Sequence, residues 1–114
     1  MKNNVCHVEI PITNEQVATE FYKSVFDWEI DFKALKNYGL LNTDVSIGFP
    51  ISKKVVPSEQ KIYIQVNNID QFLTKIEKAG GKIISNKNKI SDQIGYGAIF
   101  SDIFGNKLGL FSKD

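Results

Sequence analysis

The pattern that most constrains this chain is a repetition. A shift of about 54 residues lays one strand, one helix cap and one apolar helix stripe over a second copy of each. In the first copy, residues 5–12 are dense in β-branched side chains and read as a strand. Thr13 and Gln16 then form a capping box, with Ile12 and Val17 as its hydrophobic staple. Val17, Ala18, Phe21, Tyr22 and Val25 follow at helical spacing. Strand-like runs cover 28–33, 38–42 and 45–51. In the second copy, 61–66 alternates as a strand and Asn68 caps a helix with Gln71 at its third position. Ile69, Phe72, Leu73, Ile76 and Ala79 make the stripe, and Gly80-Gly81 closes it with a left-handed residue. Strands follow at 82–85 (or as far as 90), 96–101 and 106–111, the last two joined by the hairpin loop 102–105.

The expected architecture is therefore α+β: two tandem β-α-β-β-β modules in a single domain, 1–114. Module 1 covers about 4–51, a polar linker with one proline about 52–60, and module 2 about 61–112. A chain of 114 residues suffices for a core without staples.

A net charge of +1 gives no field for nucleic acid or an anionic membrane, and all 14 basic residues are lysines. Without arginine the chain lacks the planar fork that clasps phosphate or guanine in two places, so nucleic-acid binding is not expected. No apolar run approaches a membrane span or a signal peptide, so no membrane partner is expected either. Cys6 has no partner for a disulfide, which suits a cytoplasmic location, and its alternation with Val8 and Ile10 makes it an inert core thiol.

The order and spacing of His7-Val8-Glu9-Ile10-Pro11, Phe21-Tyr22, Phe26-Asp27-Trp28, Val66-Asn67-Asn68-Ile69-Asp70, Ala79-Gly80-Gly81 and Gly95-Tyr96-Gly97-Ala98-Ile99-Phe100 resemble the vicinal oxygen chelate superfamily of glyoxalase, bleomycin-resistance and extradiol dioxygenase proteins. The closing Gly105-Asn106-Lys107-Leu108-Gly109-Leu110-Phe111 is similar to the short glyoxalase-related branch. The resemblance implies sheets curled into a half-barrel, helices on the convex face and a small-molecule ligand in the concave one. In metal-dependent members the ligands come from the first and last strand of each module.

Strand alternation places Cys6, Val8, Ile10 and Ile12 under the first helix, and His7 and Glu9 on the opposite, concave face. In module 2 it turns Lys61, Tyr63 and Gln65 inward from the first strand, and Lys107, Gly109 and Phe111 from the last. At the family's metal positions His7 is a donor, Lys61 is a cation, Gly109 carries no donor, and 46–48 offers no strong ligand. No metal and no other cofactor are expected.

His7 and Glu9 are the candidate catalytic pair, a base abstracting a proton beside a carbonyl with Lys61 steadying the enolate. The bland reading of His7 is a polar residue hydrogen-bonded to Glu9 or nearby backbone. Lys61, Tyr63, Tyr96, Trp28, Phe111 and Gly109 are the candidate ligand contacts. Three functions fit: a small-molecule binder like the bleomycin-resistance proteins, a metal-independent lyase or isomerase, and a ligand-free dimerisation or regulatory unit. Bleomycin itself, a cation, suits Lys61 and Lys107 poorly. A homodimer is expected from the resemblance, with Phe104 at a contact.

Overall fold

The computed structural model describes residues 3–114, in two compact units, one ending at Val55 and the other running Val56–Asp114. In the first, module 1, β1 (His7–Glu9) precedes α1 (Glu15–Phe26), β2 (Asp31–Leu35), β3 (Tyr38–Asn42) and β4 (Ser46–Pro50). The sheet order is β1-β4-β3-β2, with β1 parallel to β4 and the other pairs antiparallel.

β1 is shorter than the 5–12 run suggests. Pro11 has no N–H to give to a ladder, and Ile12 rejoins only as an isolated bridge to Ile51. At the other end the ladder begins at His7, so alternation never turns Cys6 under the helix. Cys6 is exposed, which corrects the core assignment.

The helix cap also lies one residue later than expected. Asn14, not Thr13, is the extended residue whose side chain accepts the Val17 N–H, at 2.9 Å. Asn caps better than Thr, and the shift removes Ile12 and Val17 from staple positions. At the far end Asp27 takes a left-handed conformation, φ 59°, and the Trp28 N–H returns to the Tyr22 carbonyl at 3.3 Å. That turn lays the indole on Tyr22, 5.4 Å between ring centroids, and delays β2 to Asp31. Phe49 of β4 meets the same Tyr22 ring, so an aromatic cluster joins α1 to one face of the sheet. Ile10, Ile12, Ala18, Phe21, Val25 and Ile47 are buried around it. Each large apolar side chain so enclosed contributes about 1.5–3 kcal/mol.

In module 2, β5 (Tyr63–Gln65), α2 (Ile69–Lys78), β6 (Lys82–Ser91), β7 (Gly95–Ser101) and β8 (Lys107–Ser112) repeat the plan, in sheet order β5-β8-β7-β6. Asn68 caps α2 as expected, accepting from the Gln71 N–H at 3.0 Å. Gly80 at φ 102° ends it: its N–H reaches the Glu77 carbonyl and the Gly81 N–H the Ile76 carbonyl, the paired bonds of a Schellman motif. The core is aliphatic, Ile69, Leu73, Ile76, Leu108 and Leu110, with Phe100 the one large ring fully enclosed. β6 continues to Ser91, with register irregularities against β7. The β7–β8 loop turns on Gly105 at φ 93° and on the buried Asp102, whose carboxylate accepts the Phe104 and Asn106 N–H groups, each at 2.9 Å.

Among the described residues, no helix is long and apolar enough to cross a membrane.

Candidate functional site

The faces opposite the helices carry the candidate residues, and a glycine organises each. Register pairs Glu9 with Gly48 in module 1 and Tyr63 with Gly109 in module 2, both across a parallel first-strand-to-last-strand ladder. A Cβ on Gly48 would collide with the Tyr38 hydroxyl, and one on Gly109 with ring atoms Cδ2 and Cε2 of Tyr63. Each glycine is thus a notch that seats a tyrosine.

In module 1 the seated tyrosine ties the catalytic candidates together. The Tyr38 hydroxyl donates to Glu9 Oε2 at 2.6 Å, the short length of a bond to a charged acceptor. Having one hydrogen, it meets His7 Nε2, 2.7 Å away, as an acceptor. The neutral imidazole therefore carries its proton on Nε2, and Nδ1 accepts from the Ser46 hydroxyl at 2.9 Å. The result is one directed chain, Ser46 to His7 to Tyr38 to Glu9. Partial burial first, then the hydrogen bond and charge of Glu9, push the Tyr38 phenol up to about 12. At neutral pH Tyr38 is a fixed donor.

His7 and Glu9 thus share a face as their alternation requires, but they are linked through Tyr38 rather than directly. Both imidazole nitrogens are engaged. Glu9 Oε1 has no partner among the described residues. Tyr38 was not singled out from sequence, and Ser46 entered only within the 46–48 metal position, as no strong ligand. The signal available was the seam of β3 and β4: Tyr38 opens β3 opposite Pro50, one alternation from Gly48.

In module 2, Tyr63, Gly109 and Phe111 lie on one face, and Lys61 stands two residues before Tyr63, ahead of the start of β5. Tyr63 is 53% exposed and Phe111 is half-buried. Lys61 Nζ lies 3.5 Å from the Glu59 carbonyl. Tyr96 falls on the other alternation, that of the buried Ala98 and Phe100, with Lys87 Nζ 4.6 Å above its ring. Trp28 sits on the helix side of module 1, 5.4 Å from Tyr22 and 6.5 Å from Phe49. The structure does not bring Tyr96 to Tyr63 or Trp28 to His7. Among the described residues, no group of three or more His, Cys, Asp or Glu stands close enough to hold a metal ion.

No family model and no curated protein sequence matches the chain. Solved structures do. A hypothetical protein, SA1046, from S. aureus superposes with TM-score 0.75 at 20% identity, covering 98% of both chains. A glyoxalase/bleomycin resistance protein/dioxygenase family enzyme from Burkholderia phytofirmans gives 0.75 at 16% identity, over 98% of this chain and 100% of that one. The fosfomycin resistance protein FosX from Listeria monocytogenes gives 0.80 at 14% identity, over 100% of this chain and 94% of that one. At these identities what is shared is the fold.

Proposed function

We propose that this chain, whose fold is that of the vicinal oxygen chelate proteins, is a cytoplasmic small-molecule-binding protein that holds its ligand on its exposed strand faces without a divalent metal. The observation that carries this reading is the state of His7. It is the chain's one histidine, and both its nitrogens are taken by hydrogen bonds to Ser46 and Tyr38. A ligating imidazole must offer an unprotonated nitrogen, and here that nitrogen already faces a hydroxyl. The other family positions hold the lysine Lys61 and Gly109, the latter under the Tyr63 ring. These donors do not fit a divalent cation.

The similar structures include proteins named for resistance to bleomycin and to fosfomycin. Sequestration needs only a shaped and partly aromatic surface, which both modules present. The enzymatic alternative, Glu9 and His7 as a proton-abstracting pair, draws support from the unpartnered Oε1 of Glu9. Against it, the other oxygen of that carboxylate, Oε2, is already held by the Tyr38 hydroxyl. A homodimer is the proposed assembly, since each sheet leaves its outer strands, β1 and β2 or β5 and β6, unpaired along one edge within the module.

The test is a thermal-shift screen of small molecules, run with chelator and again with Mn²⁺, Ni²⁺ or Zn²⁺, beside elemental analysis of the purified protein. A ligand that raises Tm equally under both conditions supports the reading. A shift that requires the metal, or stoichiometric metal in the preparation, contradicts it.

A further inference from the structure

We propose that the strand face of module 2 binds a planar aromatic anion, its ring stacked on Tyr63 and its charge held by Lys61 and Lys107. The proposal rests on the binding reading above and gives it a ligand class.

Tyr63 is an unusual surface residue. Its ring lies over the Gly109 backbone, so one side is backed by β8, yet 53% of the residue remains exposed. An aromatic ring fixed from behind loses little entropy when something stacks on its open side. Its hydroxyl makes no hydrogen bond among the described residues. The half-buried Phe111 and Ile99 continue the apolar floor: Phe111 follows Gly109 by one alternation, and Ile99 pairs directly with Gly109 across β7–β8.

The charge on this face has one sign. Lys107 precedes Gly109 by two residues on β8 and so shares its face, Lys61 lies two residues before Tyr63 just ahead of β5, and both are exposed. Neither forms an ion pair among the described residues; Lys61 meets only the Glu59 carbonyl. No residue of β5, β7 or β8 is acidic. Two ammonium groups without ion-pair partners at the edge of a stacking surface complement a carboxylate or sulfonate carried on a flat ring, and repel a cation. A compact inorganic anion would gain nothing from the tyrosine, and a neutral aromatic nothing from the lysines.

The test titrates the protein with naphthoate, followed by backbone amide NMR, with naphthamide, cyclohexanecarboxylate and naphthylmethylammonium as comparators. Naphthoate is expected to bind at least about tenfold more tightly than each comparator, with shifts on β5 and β8. Tyr63→Leu should weaken naphthoate about tenfold, the scale of one aromatic stack on a flat ring. The double variant Lys61→Gln, Lys107→Gln should abolish the preference for naphthoate over naphthamide. Gly109→Ala, which pushes the Tyr63 ring aside and keeps both lysines, should also weaken naphthoate. Equal affinity for naphthoate and naphthamide, or naphthoate binding indifferent to Tyr63→Leu, overturns the proposal. If the screen finds a ligand of another class while naphthoate does not bind, this inference fails and the binding reading stands. A screen in which nothing binds removes both.

Discussion

The two modules cover the same glycine from opposite sides. In module 1 the ring over Gly48 comes from β3, and its hydroxyl reaches past the glycine to β1, where it accepts from His7 and donates to Glu9. In module 2 the ring over Gly109 comes from β5 itself, at the register position that Glu9 occupies in module 1. One tyrosine is locked into a polar chain; the other is backed by a strand and otherwise open. The glycine belongs to the repeated architecture, and the strand that supplies its cover decides the chemistry of the face. The cores differ in the same spirit, with stacked rings under α1 and mainly aliphatic side chains under α2.

Four pairs of substitutions test this contrast. The largest effect belongs to the cores. Phe49→Ala should cost about 3–5 kcal/mol and Leu110→Ala about 2–5 kcal/mol in chemical denaturation. Only Phe49→Ala should also collapse the near-ultraviolet circular dichroism of Trp28, whose ring centroid lies 6.5 Å from that of Phe49. The glycines come next. Gly48→Ala should cost about 1–3 kcal/mol, because the new methyl drives the Tyr38 hydroxyl from its partners. Gly109→Ala should cost about 1 kcal/mol or less, since the half-exposed Tyr63 ring can swing into water. Equal costs would mean that the two tyrosines are held alike.

The hydroxyls follow. Tyr38→Phe should lose about 1.5 kcal/mol and Tyr63→Phe no more than about 0.5 kcal/mol. The phenol of Tyr38 is raised from its ordinary 10.0 to about 12, so at high pH the unfolded chain releases a proton that the folded chain retains. The resulting stability is complete below the ordinary value and falls as pH rises from 10.0 toward about 12. Denaturation midpoints across that window should decline in the parent, and this part of the decline should vanish in Tyr38→Phe. The smallest effect is expected where the modules agree. Asn14→Ala and Asn68→Ala should each cost about 1 kcal/mol, and similarly, because both side chains accept the same helix N–H.

What was legible in the sequence was local. The module plan, the Asn68 cap, the Gly80 stop and the alternation that puts His7 and Glu9 on one face are all set by residues within a few positions of each other. Cys6 was misjudged because alternation was carried past the start of β1, where the ladder begins at His7. Trp28 looked like a pocket residue because nothing in its neighbours announces the left-handed Asp27 that folds the indole back on Tyr22. Tyr38, and the bond of Ser46 to His7, were missed because they depend on the register between β1, β4 and β3, in which His7 meets Ser46 across 39 positions of sequence. A side chain's face can be read from its own strand; its partner on the next strand cannot.

The single histidine makes the central claim directly measurable. Long-range ¹H–¹⁵N correlation of the imidazole, recorded well above neutral pH with and without equimolar Zn²⁺, reports the tautomer and the ligation of one ring. The account predicts a proton on Nε2, an unprotonated Nδ1, and a spectrum that zinc leaves unchanged. A proton on Nδ1, or a nitrogen resonance displaced by zinc, would contradict it.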